Sequence, residues 1–170
     1  VSINKLKKTI KKESIGKRYL IQHTTGSGKS LTIGWLAYQL ITLFKTKEST
    51  ERIFDTVVIL TDRKVLDKQL RNTVIQLEQT TGVVNPVTED SNQLKKFLEA
   101  GKSIIISTIQ KFPFISSQIS QQKSRSFAVI IDEVHSSQSG RLSAHLLKSL
   151  SDKELDEYQE GEEEEDLTGL

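Results

Sequence analysis

The feature that most constrains the fold of this chain is a pair of short motifs, each directly after an apolar run. Residues 19–30 read YLIQHTTGSGKS, and residues 127–135 read FAVIIDEVH. Glycines allow a sharp turn from a strand into a helix, so the first motif predicts a loop whose backbone N–H groups surround an anion. The second predicts a buried parallel strand with acidic residues at its carboxyl end, where open α/β sheets bind ligands.

The first motif predicts a phosphate-binding loop for MgATP. Lys29 is expected to reach the terminal phosphates, and Ser30 has the hydroxyl that such loops place on Mg²⁺. The residues predicted to bind the nucleotide are Thr24, Thr25, Gly26, Ser27, Gly28, Lys29 and Ser30. His23 departs from the eight-residue Walker pattern, because it occupies the first glycine position. The alternative interpretation is a glycine-rich turn with an exposed lysine.

The second motif predicts the catalytic side of the same site. Asp132 is expected to hold Mg²⁺ through water, and Glu133 to orient and deprotonate the water that attacks the γ-phosphate. Acidic residues also end strands or cap helices for structural reasons alone. The phosphate loop upstream favours the catalytic interpretation.

Composition argues against several other classes of protein. The 170 residues include no cysteine and only three scattered histidines, so neither disulfides nor a zinc site is expected. The apolar stretches are interrupted too often for a membrane-spanning helix, and the first residues lack a signal-peptide core. We therefore predict a cytoplasmic protein.

Charge is unevenly distributed along the chain. Residues 151–166 contain ten acidic side chains and one lysine, a charge of −9, whereas the whole chain carries +2 and residues 1–150 therefore carry +11. We predict a nucleotide-binding domain over 1–150 and an acidic, flexible insertion or tail over 151–170. A body this basic favours a polyanionic partner.

The N-terminal lysines have a simpler interpretation that stays open. Between residues 5 and 18 the sequence contains seven basic side chains. They can form the solvated face of a helix whose apolar residues, Ile3, Leu6 and Ile10, point inward.

Strand and helix patterns alternate along the rest of the chain. Strands are predicted within 57–61, 82–90 and 103–107, and helices over 31–44, 63–79, 91–101 and 140–150. Trp35, on the first of these helices, is predicted to lie in the protein core rather than to act as a base-stacking platform. Repeated βα units indicate a mostly parallel sheet with helices on both faces, the organisation of a RecA-like P-loop NTPase domain.

Four blocks of sequence, in this order and spacing, resemble the first motor domain of the R subunit (HsdR) of type I restriction enzymes, in helicase superfamily 2. The blocks are HTTGSGKSLTIGWLA, VVILTDRKVLDKQL, SIIISTIQKF and IIDEVHSSQSGR, and the match spans about residues 17–142. The resemblance implies an ATP-driven translocase of double-stranded DNA in a prokaryote. It also implies a complex with methylation (M) and specificity (S) subunits, which as a whole cleaves DNA.

The resemblance assigns roles to individual residues. It implies that Lys29, Asp132 and Glu133 act in ATP hydrolysis, with Ser30 and Asp132 at the metal, and that His135 couples hydrolysis to the domain interface. It also implies that DNA phosphates are contacted by Thr61, Arg63, Thr108 and Gln110. Threonine and glutamine at strand ends are equally common as turn and cap residues.

A superfamily 2 motor also needs parts that these 170 residues do not contain. Arginines from a second RecA-like domain close the site in such motors, and no nuclease constellation is evident here. The chain alone is therefore expected to bind nucleotide weakly and to hydrolyse it poorly. The alternatives are another superfamily 2 DNA helicase, a DNA-independent P-loop ATPase, or a scaffold domain that has lost activity.

Overall fold

A computed structural model describes most of the region that contains the two motifs. The residues that it describes are 3–13, 19, 21, 23, 26–61, 64–77, 81–111, 122 and 124–132. The predicted helix over 140–150 and the acidic stretch over 151–170 lie outside them. None of the described helices is long and apolar enough to cross a membrane.

The described strands form one parallel sheet. They are β1 (Thr56–Thr61), β2 (Val84–Pro86), β3 (Ile104–Thr108) and β4 (Phe127–Asp132). Their spatial order is β2-β3-β1-β4, and all three neighbouring pairs are parallel. Parallel neighbours need a crossover connection, and the helix Ser91–Glu99 supplies it between β2 and β3. The predicted α/β fold with a parallel sheet is confirmed.

Helices cover both faces of this sheet. They are α1 (Ile3–Glu13), α2 (Lys29–Ile41), α3 (Lys64–Gln76) and α4 (Ser91–Glu99), with a short 3-10 turn at Ile109–Lys111. Because side chains alternate along a strand, β1 contributes Val57 and Ile59 to a core shared with α1, α2 and α3. It contributes Val58 and Leu60 to a second core shared with α4. All four of these side chains have no exposed surface.

Side-chain contacts fix both ends of α4. Asp90 caps its N-terminus, because the carboxylate accepts hydrogen bonds of 3.1 Å from the backbone N–H groups of Asn92 and Gln93. These hydrogen bonds lower the pKa of Asp90, and the bond from the Gln93 N–H has the largest effect. At the other end Gly101 adopts a φ of 66°, and Arg125 Nη1 donates to the Leu98 carbonyl at 2.6 Å. The predicted helix over 91–101 is therefore confirmed, with its last turn at Glu99.

Two expectations about burial and one about a helix boundary are wrong. Trp35 is 58% exposed, because α2 turns Leu36, Ala37 and Leu40 toward the core and leaves the opposite side to solvent. The helix also ends at Ile41 rather than at 44. β4 is only partly buried, because it is the edge strand of the four described.

Candidate nucleotide-binding site

The phosphate loop ends in a helix N-terminus. Gly26 and Gly28 have φ angles of 75° and 77°, which side chains other than glycine rarely adopt. Gly28 is the N-cap of α2, and its carbonyl accepts the first helical bond, from Thr32 N–H at 3.0 Å. The N–H groups of the first helical turn have no acceptor within the helix, so they can bind an anion there.

The acidic residue of the second motif lies at the same edge of the sheet. Strand register places Thr61 of β1 opposite both Thr108 of β3 and Asp132 of β4. These residues therefore form a row across three adjacent strands, about 4.8 Å apart from strand to strand. All three are buried, with exposed fractions of 1%, 8% and 6%. The row marks the carboxyl edge, where a doubly wound sheet binds its ligand.

The two motifs meet in an ion pair. Lys29 Nζ, in the first turn of α2, lies 2.9 Å from Asp132 Oδ1, at the end of β4. The lysine side chain is 36% exposed and the aspartate side chain 6%. The contact is electrostatic, because no donor among the described residues makes a hydrogen bond to this oxygen in proper geometry. The chain therefore joins a cation and a carboxylate at the point where a nucleotide would need both.

The residues present fit a hydrated Mg²⁺ ion. Asp132 Oδ1 is a buried carboxylate oxygen that makes no hydrogen bond to the described residues and lies 2.9 Å from a cation, Lys29 Nζ. Ser30, half-buried, follows Lys29 on the first turn of α2. Within the described ranges, no group of three or more His, Cys, Asp or Glu residues could hold a metal alone. That agrees with the way Mg²⁺ binds at nucleotide sites, through one or two protein ligands, water and substrate phosphates.

Several predicted site residues lie outside the described part of the chain. They are Thr24, Thr25, Arg63, Glu133 and His135. Of the other residues predicted to contact DNA, Gln110 is exposed, whereas Thr61 and Thr108 are buried. Contact of these three residues with DNA phosphates stays a prediction.

Two contacts in the site had no counterpart in the sequence interpretation. One is the Lys29–Asp132 ion pair, which joins residues far apart in the chain. The other links His23 Nδ1 to Ser27 Oγ at 3.0 Å, across the phosphate loop. The only signal in the sequence for the second contact was that His23 and Ser27 lie four positions apart.

The parallel sheet, the helix that follows the glycine loop and the Lys29–Asp132 contact define a P-loop nucleotide-binding domain of the α/β class. The family model described as SWI2/SNF2 ATPase matches residues 1–155. The match covers most of the chain, and the chain belongs to this family. No solved structure matches it significantly.

The chain is also similar to endonuclease subunits of type I restriction enzymes. It is 31% identical over 128 residues to the HindI endonuclease subunit of Haemophilus influenzae. The aligned segment covers 69% of this chain and 11% of that protein. It is 32% identical over 124 residues to the SsaAORF53P endonuclease subunit of Staphylococcus saprophyticus, 71% of this chain and 12% of that protein. The resemblance predicted from the motifs is confirmed. The chain spans about an eighth of the length of these relatives.

Proposed function

We propose that this chain is the ATP-binding half of an ATP-dependent double-stranded DNA translocase, within the endonuclease subunit of a type I restriction system. The observation that supports ATP binding most directly is the 2.9 Å contact between Lys29 Nζ and Asp132 Oδ1. It joins the phosphate loop to the acidic end of β4, and each charge is of the sign that MgATP requires. Similarity to type I endonuclease subunits supports the restriction system.

Nucleotide binding would use the charges and dipoles at the start of α2. ATP would supply the phosphoryl group, and Mg²⁺ would neutralise its charge. Lys29 would leave Asp132 for the β- and γ-phosphates, and the N–H groups of the first helical turn would donate to phosphate oxygens. The Ser30 hydroxyl and the Asp132 carboxylate would hold the cation, Asp132 through water.

Hydrolysis would depend on residues just after β4 and on a second domain. Glu133 would accept the proton of the attacking water. His135 would connect this step to the domain interface. A loose transition state is stabilised by charges placed on both sides of the phosphoryl group, so arginines from a second RecA-like domain are part of the proposal.

The motor domain would be one part of a larger DNA-bound complex. Residues 1–150 would form the motor domain, and residues 151–170 an acidic insertion or tail. DNA would pass over the carboxyl edge of the sheet, with Arg63 and Gln110 at its phosphates. The complex would include the methylation (M) and specificity (S) subunits, and DNA cleavage would reside in a part of the protein outside this chain.

Steady-state ATP hydrolysis with and without linear double-stranded DNA tests the proposal. The protein should be the longer chain that carries a second RecA-like domain downstream, beside its Glu133→Gln variant. We expect strong stimulation by DNA in the unaltered protein. The variant should lose turnover and keep ATP binding, because glutamine preserves the shape of the side chain and removes the base.

Other outcomes would change the conclusion in different ways. Hydrolysis that is indifferent to DNA would favour a DNA-independent P-loop ATPase. A variant that hydrolyses ATP as fast as the unaltered protein would remove Glu133 from the catalytic site. Unchanged MgATP affinity in Lys29→Ala would refute the phosphate-loop assignment.

A further inference from the structure

One side-chain contact crosses the phosphate loop. His23 Nδ1 lies 3.0 Å from Ser27 Oγ, and the two residues are four positions apart in the chain. This distance is within the range of a hydrogen bond between nitrogen and oxygen. Both neutral tautomers of the imidazole allow the bond, because Nδ1 accepts from the hydroxyl when Nε2 carries the proton and donates to it otherwise.

The two glycines beside Ser27 are exposed. Ser27 lies between Gly26 and Gly28, and a Cβ atom added to either glycine would have nothing within 4 Å among the described residues. Among the described residues, the space into which a Cβ atom would project is therefore open at both positions. Glycine also has the largest backbone freedom of any residue, and this freedom must be lost when the loop orders around a phosphate. A cross-link from a neighbouring side chain would reduce that loss.

We infer that His23 is a positioning residue, which closes the phosphate loop through Ser27 and preorganises its N–H groups for the nucleotide. The inference rests on the proposed ATP-binding function and deepens it. The Walker pattern has glycine at this position, and glycine has no side chain to make the contact. The departure of His23 from that pattern is then a gain of a restraint, not a defect of the loop.

The geometry of the ring gives a discriminating set of variants. The contact uses Nδ1, which is bonded to Cγ. In asparagine the amide oxygen and nitrogen are also bonded to Cγ, so His23→Asn places a polar atom near the position of Nδ1. The amide of glutamine is one bond farther from the backbone, near the position of Nε2. His23→Asn should therefore preserve the contact, and His23→Gln should not.

The first test needs no nucleotide. Backbone ¹⁵N order parameters of residues 26–28 are measured in the unaltered 170-residue chain and in its His23 variants. Rigid backbone has values of about 0.85 and flexible backbone values below about 0.6, so His23→Ala and His23→Gln should lower the order parameters of this loop toward the flexible range, and His23→Asn should leave them nearly unchanged. Thr46→Ala is the control, because it removes a similar exposed turn contact, that of Ser49 N–H with Thr46 Oγ1, outside the site. If His23→Ala leaves the order parameters of the loop unchanged, the inference is overturned.

The second test measures MgATP affinity by titration with a fluorescent ATP analogue, in the longer chain that carries a second RecA-like domain. His23→Ala and Ser27→Ala should each weaken binding about fivefold, and the double variant no more than either alone, because both changes remove the same bond. His23→Gly should also bind about fivefold more weakly, although it restores the Walker pattern. Additive effects of the two alanine changes, or tighter binding by His23→Gly, would overturn the inference.

The two tests separate this inference from the proposed function. If the longer chain that carries a second RecA-like domain fails to bind MgATP, but the loop order parameters respond to His23→Ala, the results would refute nucleotide binding and support loop closure. A chain that binds MgATP equally well with and without the His23 side chain would support nucleotide binding and refute the positioning role.

Discussion

Replacing Lys29 by alanine should destabilise the nucleotide-free protein, in addition to weakening nucleotide binding. The reason is the unequal burial of the ion pair, since the Lys29 side chain is 36% exposed and that of Asp132 only 6%. Removal of the lysine leaves a buried carboxylate without its cation, which is costly. Removal of the aspartate charge leaves a lysine that water can still solvate.

The expected magnitude follows from the distance and the exposure. Two unit charges 2.9 Å apart attract by about 6 kcal/mol at an effective dielectric constant near 20, and by about 1.4 kcal/mol in bulk water. Solvent reaches the lysine, so the net effect lies near the lower value. We expect Lys29→Ala to lower the free energy of unfolding by about 2 kcal/mol, and Asp132→Asn to lower it by less than about 1 kcal/mol.

Urea unfolding at neutral pH, followed by circular dichroism, measures this asymmetry. The set comprises both single variants and the double variant Lys29→Ala/Asp132→Asn. The double variant should be more stable than Lys29→Ala alone, because it no longer contains an uncompensated buried charge. Equal stability of Lys29→Ala and the unaltered protein, together with a larger loss in Asp132→Asn, would refute the reasoning.

Three further predictions concern the scaffold. Leu94→Ala should lower the free energy of unfolding by about 3 kcal/mol in urea titrations, because Leu94 has no exposed surface and its loss leaves a cavity. Asp90→Ala should lower the melting temperature at neutral pH. The lowered pKa of Asp90 means that its stabilisation is present above the unfolded-state pKa and is lost as the pH falls through the folded-state pKa, so the two proteins should converge in strong acid. Trp35→Ser should change the free energy of unfolding by less than about 0.5 kcal/mol, and acrylamide should quench the fluorescence of native Trp35, the single tryptophan.

The strands were predictable because their composition reflects burial on two faces. In β1 every residue from Val57 to Leu60 is apolar, because alternate side chains point into the two cores on opposite faces of the sheet. The boundaries of α4 were predictable for a different reason. Asp90 and Gly101 are local signals, and each acts on backbone groups within a few residues.

The orientation of α2 was not predictable in the same way. Apolar side chains occur on nearly every side of this helix, so its hydrophobic pattern does not say which side faces the sheet. Leu36, Ala37 and Leu40 face the core, and Trp35 is left on the outside. Only the tertiary packing of α2 on β1 and α3 decides between these positions.

The two ends of the site were predictable, but their distance was not. Lys29 and Asp132 each follow a recognisable local motif, whereas their 2.9 Å contact depends on the order of strands in the sheet. The order β2-β3-β1-β4 is set by long-range pairing, and residue spacing carries little information about it. The local signals therefore predicted which residues form the site, and the topology determined that they meet.

The Lys29–Asp132 pair gives a physical reason why ATP and Mg²⁺ would bind together under the proposed function. Each charge is the counter-ion of the other in the nucleotide-free chain. ATP alone would take Lys29 and leave the buried Asp132 carboxylate uncompensated, and Mg²⁺ alone would compete with Lys29 for Asp132. Together they exchange one ion pair for two, lysine with phosphate and aspartate with the hydrated metal. ATP alone would leave a buried carboxylate without a cation, and Mg²⁺ bound with it supplies one, so each ligand would raise the affinity for the other, a coupling that thermodynamic linkage requires to be reciprocal.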